Sequence, residues 1–278
     1  MCQKHVIQGL IQSALKEDIG SGDITTSAVL SGREVGNARV VAKEDMVVAG
    51  IGVFKEAFLF SEEKVDFIDS VKEGDNVKDG DLLTQMSGNL GNILTAERVA
   101  LNFLQRMCGI ATLTRRYVDE IRGTGAKILD TRKTTPGLRV LEKYAVMIGG
   151  GFNHRFGLYD GILIKDNHIY AAGGIIAAIE MVNKDVPHNL KIEIEVKNLG
   201  EVEEALSAGV DVIMLDNMEV GEMKKAVSLI KGRALVEASG NVSLKNVKKI
   251  AETGVDFISV GALTHSAPSS DISLKFKS

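Results

Sequence analysis

The sequence predicts an α/β protein, with an incomplete TIM-like β/α barrel of six or seven parallel strands behind a smaller mixed α+β module. Three observations predict it. Downstream of about residue 95, short apolar runs alternate with segments of helical periodicity. Each of those runs ends on polar residues or glycine. Upstream, short strand patterns and Gly-Asp turns replace the alternation.

In the first part, GNARVVAKEDMVVAG reads as two short strands, residues 53–60 as a short helix and KVDFIDSV as a further strand. EGDNVKDGDLLTQMSG sets Gly-Asp pairs at turns between apolar residues, which predicts a strand meander. The stretch has the look of a lipoyl-type hairpin, but no lysine occupies a hairpin tip in the expected apolar frame, so it reads as scaffold. TAERVALNFLQRMCGIATLTRRYVDEIRG predicts long helical material, capped by Thr95 and buried through Val99, Leu101, Phe103, Leu104 and Met107.

Strands are expected at residues 127–129, 161–164, 192–196, 210–215, 235–238 and 257–260. Helices are expected between them at 138–148, 175–182, 202–208, 220–230 and 244–251. Short buried strands alternating with amphipathic helices make a parallel sheet, open or closed. The strand exits carry Asp130-Thr131-Arg132-Lys133, Lys165-Asp166-Asn167, Glu195-Val196-Lys197, Asp216-Asn217, Ser239-Gly240-Asn241 and Gly261-Ala262. A barrel brings all of these to one mouth, whereas an open sheet spreads them along an edge, so the barrel is preferred. The domain division expected is 1–107 for the first module and 108–265 for the barrel, with the C-terminal SSDISLKF able to return to the first module as a strand (266–278).

The chain has 278 residues, 45% of them hydrophobic, enough for one large or two smaller cores. A net charge of −4 and a pI of about 5.8 exclude a general nucleic-acid footprint. Cys2 and Cys108 offer neither metal-ligand spacing nor a disulfide framework. No apolar run approaches the roughly 18 residues of a membrane span, and MCQKHVIQGL lacks a signal-peptide pattern. These observations predict a soluble cytoplasmic protein without nucleic-acid or membrane partners.

Within this acidic chain, residues 127–169 concentrate Arg132, Lys133, Arg139, Lys143, Arg155, Lys165, His154 and His168 among only four acids, Asp130, Glu142, Asp160 and Asp166. A focused cationic island predicts a pocket for a small polyanion. Arg132 presents a planar fork for carboxylate or phosphate, and Lys133 a compact point charge. An isolated Arg-Lys pair would read as solvated loop charge, but the surrounding cations favour binding. His154-Arg155 follows Gly149-Gly150-Gly151, where backbone can approach a ligand closely; the histidine could equally be structural. Lys165 ends the run GILI and could pair with phosphate or, desolvated among cations, form a Schiff base. Glu195 and Asp216, 21 residues apart, suit ribose hydroxyls, magnesium, or positive charge developing on a sugar carbon; a salt bridge is the plainer alternative. Ser239-Gly240-Asn241 and Gly261-Ala262 lie at the last exits, where barrels often bind phosphate through backbone N–H groups.

TAERVALNFLQ, LDTRKTTPGLR, KYAV with GGG and NHR, GILIKDNHI, IEVKNL, VDVIMLDNM, EASGN and VGALTHS, preceded by ALKEDIGSGDITT, closely resemble the quinolinate phosphoribosyltransferase family. The resemblance runs through nearly the whole chain in the same order. It implies an N-terminal α/β sandwich, an incomplete α/β barrel, and a homodimer whose sites combine both subunits. The implied reaction joins quinolinate to phosphoribosyl pyrophosphate with magnesium, giving nicotinate mononucleotide, carbon dioxide and pyrophosphate in de novo NAD synthesis. By the same resemblance, Arg132, His154 and Arg155 match positions that hold the quinolinate carboxylates. Lys133 and Lys165 match positions near phosphoribosyl pyrophosphate, and Glu195 and Asp216 those near its ribose and magnesium; these four form the expected catalytic set. Ser239, Gly240, Asn241 and Gly261 match positions that receive the 5′-phosphate. Thr131, Val260 and Ala262 complete the expected substrate-binding set, and Arg98 matches an arginine donated across the dimer interface. Three other readings stand beside it: a related molybdenum-transport-associated protein that shares the architecture, a Schiff-base lyase on a β/α barrel, and a non-catalytic anion-binding protein.

Overall fold

A computed structural model describes residues 4–60, 64–187 and 189–276. In chain order the elements begin with α1 (Lys4–Ile19), α2 (Ile24–Val29), β1 (Val35–Ala42), β2 (Met46–Val47) and α3 (Ile51–Glu56), which runs into a 3-10 turn at Ala57–Phe60. There follow β3 (Val65–Asp69), β4 (Asn76–Val77), β5 (Leu82–Asn89), α4 (Leu90–Glu120), β6 (Lys127–Leu129) and α5 (Arg139–Ile148). Next are β7 (Ile162–Ile164), α6 (Asp166–Ala172), α7 (Ile175–Asp185), β8 (Ile192–Val196), α8 (Leu199–Ser207) and β9 (Val212–Asp216). The chain closes with α9 (Val220–Ile230), β10 (Leu235–Ser239), α10 (Val247–Ala251), β11 (Phe257–Ser259), α11 (Ala262–His265) and β12 (Ile272–Phe276). The expected α/β class is present, and each strand expected after residue 95 forms. Among the described residues, no helix is long and apolar enough to cross a membrane.

The chain forms two compact units. The first comprises residues up to Arg115, Thr134–Gly150 and the segment from Thr264 onward. Its sheet is antiparallel, in the order β12-β1-β5-β3, so the last strand pairs with the first. Strand β1 alternates as period 2 requires: Ala38, Val40 and Ala42 are buried, while Arg39 and Val41 between them are not. Phe54, Phe58 and Phe67 pack edge-on or tilted, with centroids 5.1–6.3 Å apart.

Two polar devices hold this unit. Helix α3 starts at Gly50, which has no side chain to cap it and a left-handed φ of 93°. The Glu73 carboxylate caps instead, accepting the Gly50 and Ile51 N–H groups at 2.9–3.0 Å. A Cβ at Gly50 would fall 2.6 Å from Met107 Sδ, so space and conformation both require glycine. The second device is Arg106 of α4 against Glu142 of α5, whose side chain is 1% exposed. Arg106 donates to Glu142 Oε1 at 2.8 and 3.1 Å, to the Ala267 carbonyl at 2.8 Å and to the Thr264 carbonyl. Glu142 also accepts the Thr135 N–H and hydroxyl at 3.0 and 2.8 Å. One ion pair thus ties two helices, the segment after the last barrel strand and the loop that leaves Lys133.

Thr95 does not cap α4. The helix begins five residues earlier, where the Asn89 side chain at the end of β5 accepts the Asn92 N–H at 2.9 Å. Fully buried Ile93 carries the apolar face upstream of the expected start, and Thr95 instead bonds Asp23 at 3.2 Å.

The second unit, Arg116–Lys133 and Gly151–Leu263, is built on six parallel strands in the order β6-β11-β10-β9-β8-β7. The two strands earliest in the chain sit at the two ends of that order. Phe152 adds a single parallel bridge to Leu129 on the open side of β6, a seventh position occupied by one residue. Aspartates pin the amino ends of the strands. Asp211 accepts the Ile192 N–H at 2.7 Å and Asp256 accepts the Val236 N–H at 2.8 Å. Both belong to a Gly-Val-Asp triplet, whose Gly209 (φ 76°) and Gly254 (φ 92°) end the preceding helices in the left-handed conformation.

Glu142→Ala should leave Arg106 and Thr135 without their carboxylate. We expect a loss of about 3–5 kcal/mol in unfolding free energy, the usual cost of breaking a buried pair from one side, read from urea denaturation.

Candidate active site

Period 2 within buried strands decides which side chains meet. In β8, Ile192, Ile194 and Val196 are buried as the apolar partners of Glu193 and Glu195. Register aligns Glu195 with Met214 on β9, and Asp216 with Ser239 on β10. The carboxyl ends of β6 to β11 enclose a cavity of about 550 Å³. Thr131, Arg132, Lys133, His154, Arg155, Lys165, Glu195, Asp216, Ser239, Gly240 and Asn241 all line it, so eleven expected residues from five strand exits and the loop after Phe152 share one space. Val260, Gly261 and Ala262 follow β11 but are not among its lining residues, and Val260 is buried with its N–H on the Leu129 carbonyl. Arg98 is exposed on α4 of the first unit.

The cations are individually placed. Lys165 Nζ donates to Glu195 Oε2 at 2.8 Å, a charge-assisted pair across neighbouring strand exits. Its backbone N–H is held by His168 Nδ1 at 2.9 Å, which closes the first turn of α6 as a capping-box acid would. Arg155 donates Nη1 to the Gly161 carbonyl at 2.9 Å, while its buried Nε has no hydrogen-bond partner. Burial, and then Arg132 beside it, push its pKa below the usual guanidinium value. A buried, unmatched guanidinium N–H beside a second arginine is a site for an anion. Further out, Lys197 pairs with Asp166 at 3.2 Å.

The floor of the cavity is acidic. The Asp130 carboxylate accepts the His154 N–H at 2.9 Å, and His154 Nδ1 accepts the Arg155 N–H at 2.7 Å. The ring proton therefore sits on Nε2, 3.1 Å from Glu193 Oε2 and 3.8 Å from Glu237 Oε1. Ser259 donates its hydroxyl to Glu237. Burial and then Glu193 push the Glu237 pKa up to about 8, against the lowering effects of His154 and Ser259. Burial and the neighbouring Glu193 thus favour the protonated, neutral form of Glu237. Donor atoms of His154, Glu193 and Glu237 lie within 4.8 Å of one another, but a ring that donates from Nε2 is hydrogen-bonded, not ligating. The set that suits a hard cation is Glu195 with Asp216, two carboxylates at neighbouring exits facing the same cavity.

Glu193, Glu237 and Ser259 escaped the sequence reading, which names Asn217 at a strand exit but gives it no role. The first two carried a signal: acids spaced by two from Glu195 and Ser239 within otherwise apolar strands, hence on the same inward face.

A parallel-stranded barrel with cations, two carboxylates lining the cavity and a glycine turn at one mouth defines an enzyme of the phosphate-handling α/β-barrel class. Residues 110–275 match the family description "Quinolinate phosphoribosyl transferase, C-terminal domain" and residues 23–108 its N-terminal domain. The chain belongs to the quinolinate phosphoribosyl transferase family. It is 45% identical to a chloroplastic nicotinate-nucleotide pyrophosphorylase (carboxylating) of Arabidopsis thaliana, over 97% of this chain and 82% of that protein. It superposes on the nicotinate-nucleotide pyrophosphorylase of Ehrlichia chaffeensis with a TM-score of 0.93 at 46% identity, covering 97% and 98% of the two chains. For NadC from Streptococcus pyogenes the TM-score is 0.94 at 42% identity, covering 99% of each.

Glu237 keeps a proton in the folded state that the unfolded chain, with an ordinary value of 4.5, has lost. Stability contributed by that proton is present below 4.5 and declines as pH rises towards about 8. Glu237→Gln cannot lose the proton, so its melting temperature relative to the parent should rise between about pH 5 and about pH 9. Parallel melting curves for the two proteins would contradict the protonated assignment.

Proposed function

We propose that the chain transfers phosphoribosyl from phosphoribosyl pyrophosphate to quinolinate with decarboxylation, yielding nicotinate mononucleotide, carbon dioxide and pyrophosphate for de novo NAD synthesis in the cytoplasm. The observation that carries this reading is the gathering of Arg132, Lys133, Arg155 and Lys165 around one cavity with Glu195 and Asp216. Two substrates bring two carboxylates, a phosphate and a pyrophosphate, and only a cation-dense site balances them. Family membership supports the same reaction.

In this reading the Arg132 fork and Arg155 clamp the two quinolinate carboxylates, above the His154 ring and near Thr131. Lys133 and Lys165 attract the pyrophosphate end. The 5′-phosphate lies towards Ser239, Gly240 and Asn241, with Val260, Gly261 and Ala262 at the next exit. Orientation accounts for much of the rate, since the pyridine nitrogen must face the ribose C1′ as the C1′–O bond to pyrophosphate breaks. Glu195 or Asp216 faces the positive charge that develops on the ribose and stabilises it more than the ground state. The pyridinium formed then accepts the electron pair released when the adjacent carboxylate leaves as carbon dioxide, and that carbon takes a proton. No organic electron sink is required. Glu195 and Asp216 are the residues that would hold magnesium, which when bound neutralises charge on the departing pyrophosphate.

Incubation with quinolinate, phosphoribosyl pyrophosphate and magnesium should release carbon dioxide and nicotinate mononucleotide, whereas nicotinate in place of quinolinate should give neither. Release from both substrates or from neither would sink the reading. Arg132→Ala should weaken quinolinate binding at least about tenfold more than phosphoribosyl pyrophosphate binding in calorimetry. Equal losses would remove the carboxylate assignment.

A homodimer in which Arg98 reaches the partner's site is the oligomeric form we propose. Mixing inactive Arg98→Ala and Lys165→Ala proteins should restore about a quarter of the parent activity, because one site of each two-fold heterodimer is then intact. Proven subunit exchange without recovery excludes the role in trans.

A further inference from the structure

Nothing above assigns a role to Asn217, although it lines the cavity between Asp216 and Gly240. Its backbone is left-handed, at φ 55°, a conformation costly for a residue with a side chain and best tolerated by asparagine. Its N–H donates across to the Ser239 carbonyl at 2.9 Å. Its side-chain Nδ2 donates to Asp216 Oδ2 at 2.9 Å, and its Oδ1 accepts Asn241 Nδ2 at 2.9 Å. Asn241, also left-handed at φ 51°, offers its carbonyl to Asn246 Nδ2 at 3.0 Å. Asn246 Oδ1 in turn accepts the Ser243 N–H at 2.7 Å.

The orientation of the Asn217 amide is dictated from both ends. A carboxylate can only accept, so the nitrogen must face Asp216, and the oxygen is left for Asn241. Space for the amide comes from Gly240, where a Cβ would fall 2.2 Å from Asn217 Oδ1. The glycine at this exit is therefore required by a neighbouring side chain as well as by its own φ of 92°. A generic loop needs none of this. Two strained asparagines, a vacated Cβ position and an oriented amide together describe a rigid strut between two strand exits.

We propose that Asn217 is a positioning residue: its side-chain amide fixes the Asp216 carboxylate to the Gly240–Asn241 turn, so that the ribose and 5′-phosphate contacts of phosphoribosyl pyrophosphate form one rigid unit. The inference rests on the phosphoribosyl transfer reading. It also gives the Asn241 side chain a use inside the protein, leaving the backbone N–H groups of the turn for phosphate. Asn217 touches no reacting atom, so its loss acts through Asp216.

The test separates strain from positioning. Asn217→Gly accepts the left-handed backbone without penalty but deletes the amide, and Asn241→Ala breaks the same strut from the other end. Titration calorimetry with phosphoribosyl pyrophosphate and magnesium, without quinolinate, is compared with quinolinate binding and with thermal unfolding. We expect Asn217→Gly to unfold at or above the parent temperature, to bind phosphoribosyl pyrophosphate about tenfold or more weakly and to bind quinolinate within about twofold of the parent. The combined variant should lose little more than either single one, as members of one strut do. Parent-like phosphoribosyl pyrophosphate binding by Asn217→Gly overturns the proposal, as does an equal loss for both ligands. Should that variant not fold, Asn241→Ala carries the same two outcomes. A parent protein that forms no nicotinate mononucleotide sinks the functional reading itself, which the parent assay reports independently of the variants.

Discussion

Crowding Arg132, Lys133, Arg155 and Lys165 around one cavity sets like charges against one another, and the acids placed among them are what the rest of the site depends on. The opposition is local and specific. Lys165 is matched by Glu195 at 2.8 Å, Arg155 has Glu193 nearby, and Asp130 and His154 fix the backbone that carries the guanidinium. Burial and Glu193 favour the neutral form of Glu237, which lets the floor supply hydrogen-bond capacity without a second full negative charge next to Glu193. Arg155 Nε is left without a hydrogen-bond partner within the protein.

The route from Arg106 to this site is covalent as well as electrostatic. Glu142 fixes Thr135, two residues beyond Lys133, and so limits where the loop leaving β6 can travel. Arg132 and Lys133 sit on the cavity with exposed side chains, yet the chain just after them is tied to a fully buried carboxylate.

How much of this could be read from sequence depends on which physical rule governs each residue. The barrel strands were readable because apolar runs bounded by polar exits have no good alternative to a buried parallel sheet. Arg132, Lys133, Lys165, Glu195 and Asp216 followed, since a charge that ends such a run must face the mouth. Glu193 and Glu237 did not follow, because an acid in mid-strand looks like a violation of burial until its partner is known. His154 on a loop and Ser259 at the end of β11 supply that partner, and no spacing in the chain announces it. The role of Asn217 was hidden for a different reason: its value lies in an amide reaching across two exits, a tertiary fact. Thr95 misled because a good capping residue inside a helix looks the same in sequence as one at its start, and Asn89 was the residue with the free N–H groups to satisfy. Helix α6 was folded into the exit of β7, since its short stretch carries too few apolar residues to show a period.

The two Gly-Val-Asp triplets carry a consequence for how this protein can change over generations. Each ends a helix, turns the chain and clamps the amino end of the neighbouring strand with its aspartate, so register is settled at the end of the barrel remote from the ligands. Mutational drift at the opposite ends can therefore alter substrate preference without unsettling the ladder. An identical joint used twice is a modular hinge, and it makes the barrel a chassis on which new specificities can be selected one loop at a time.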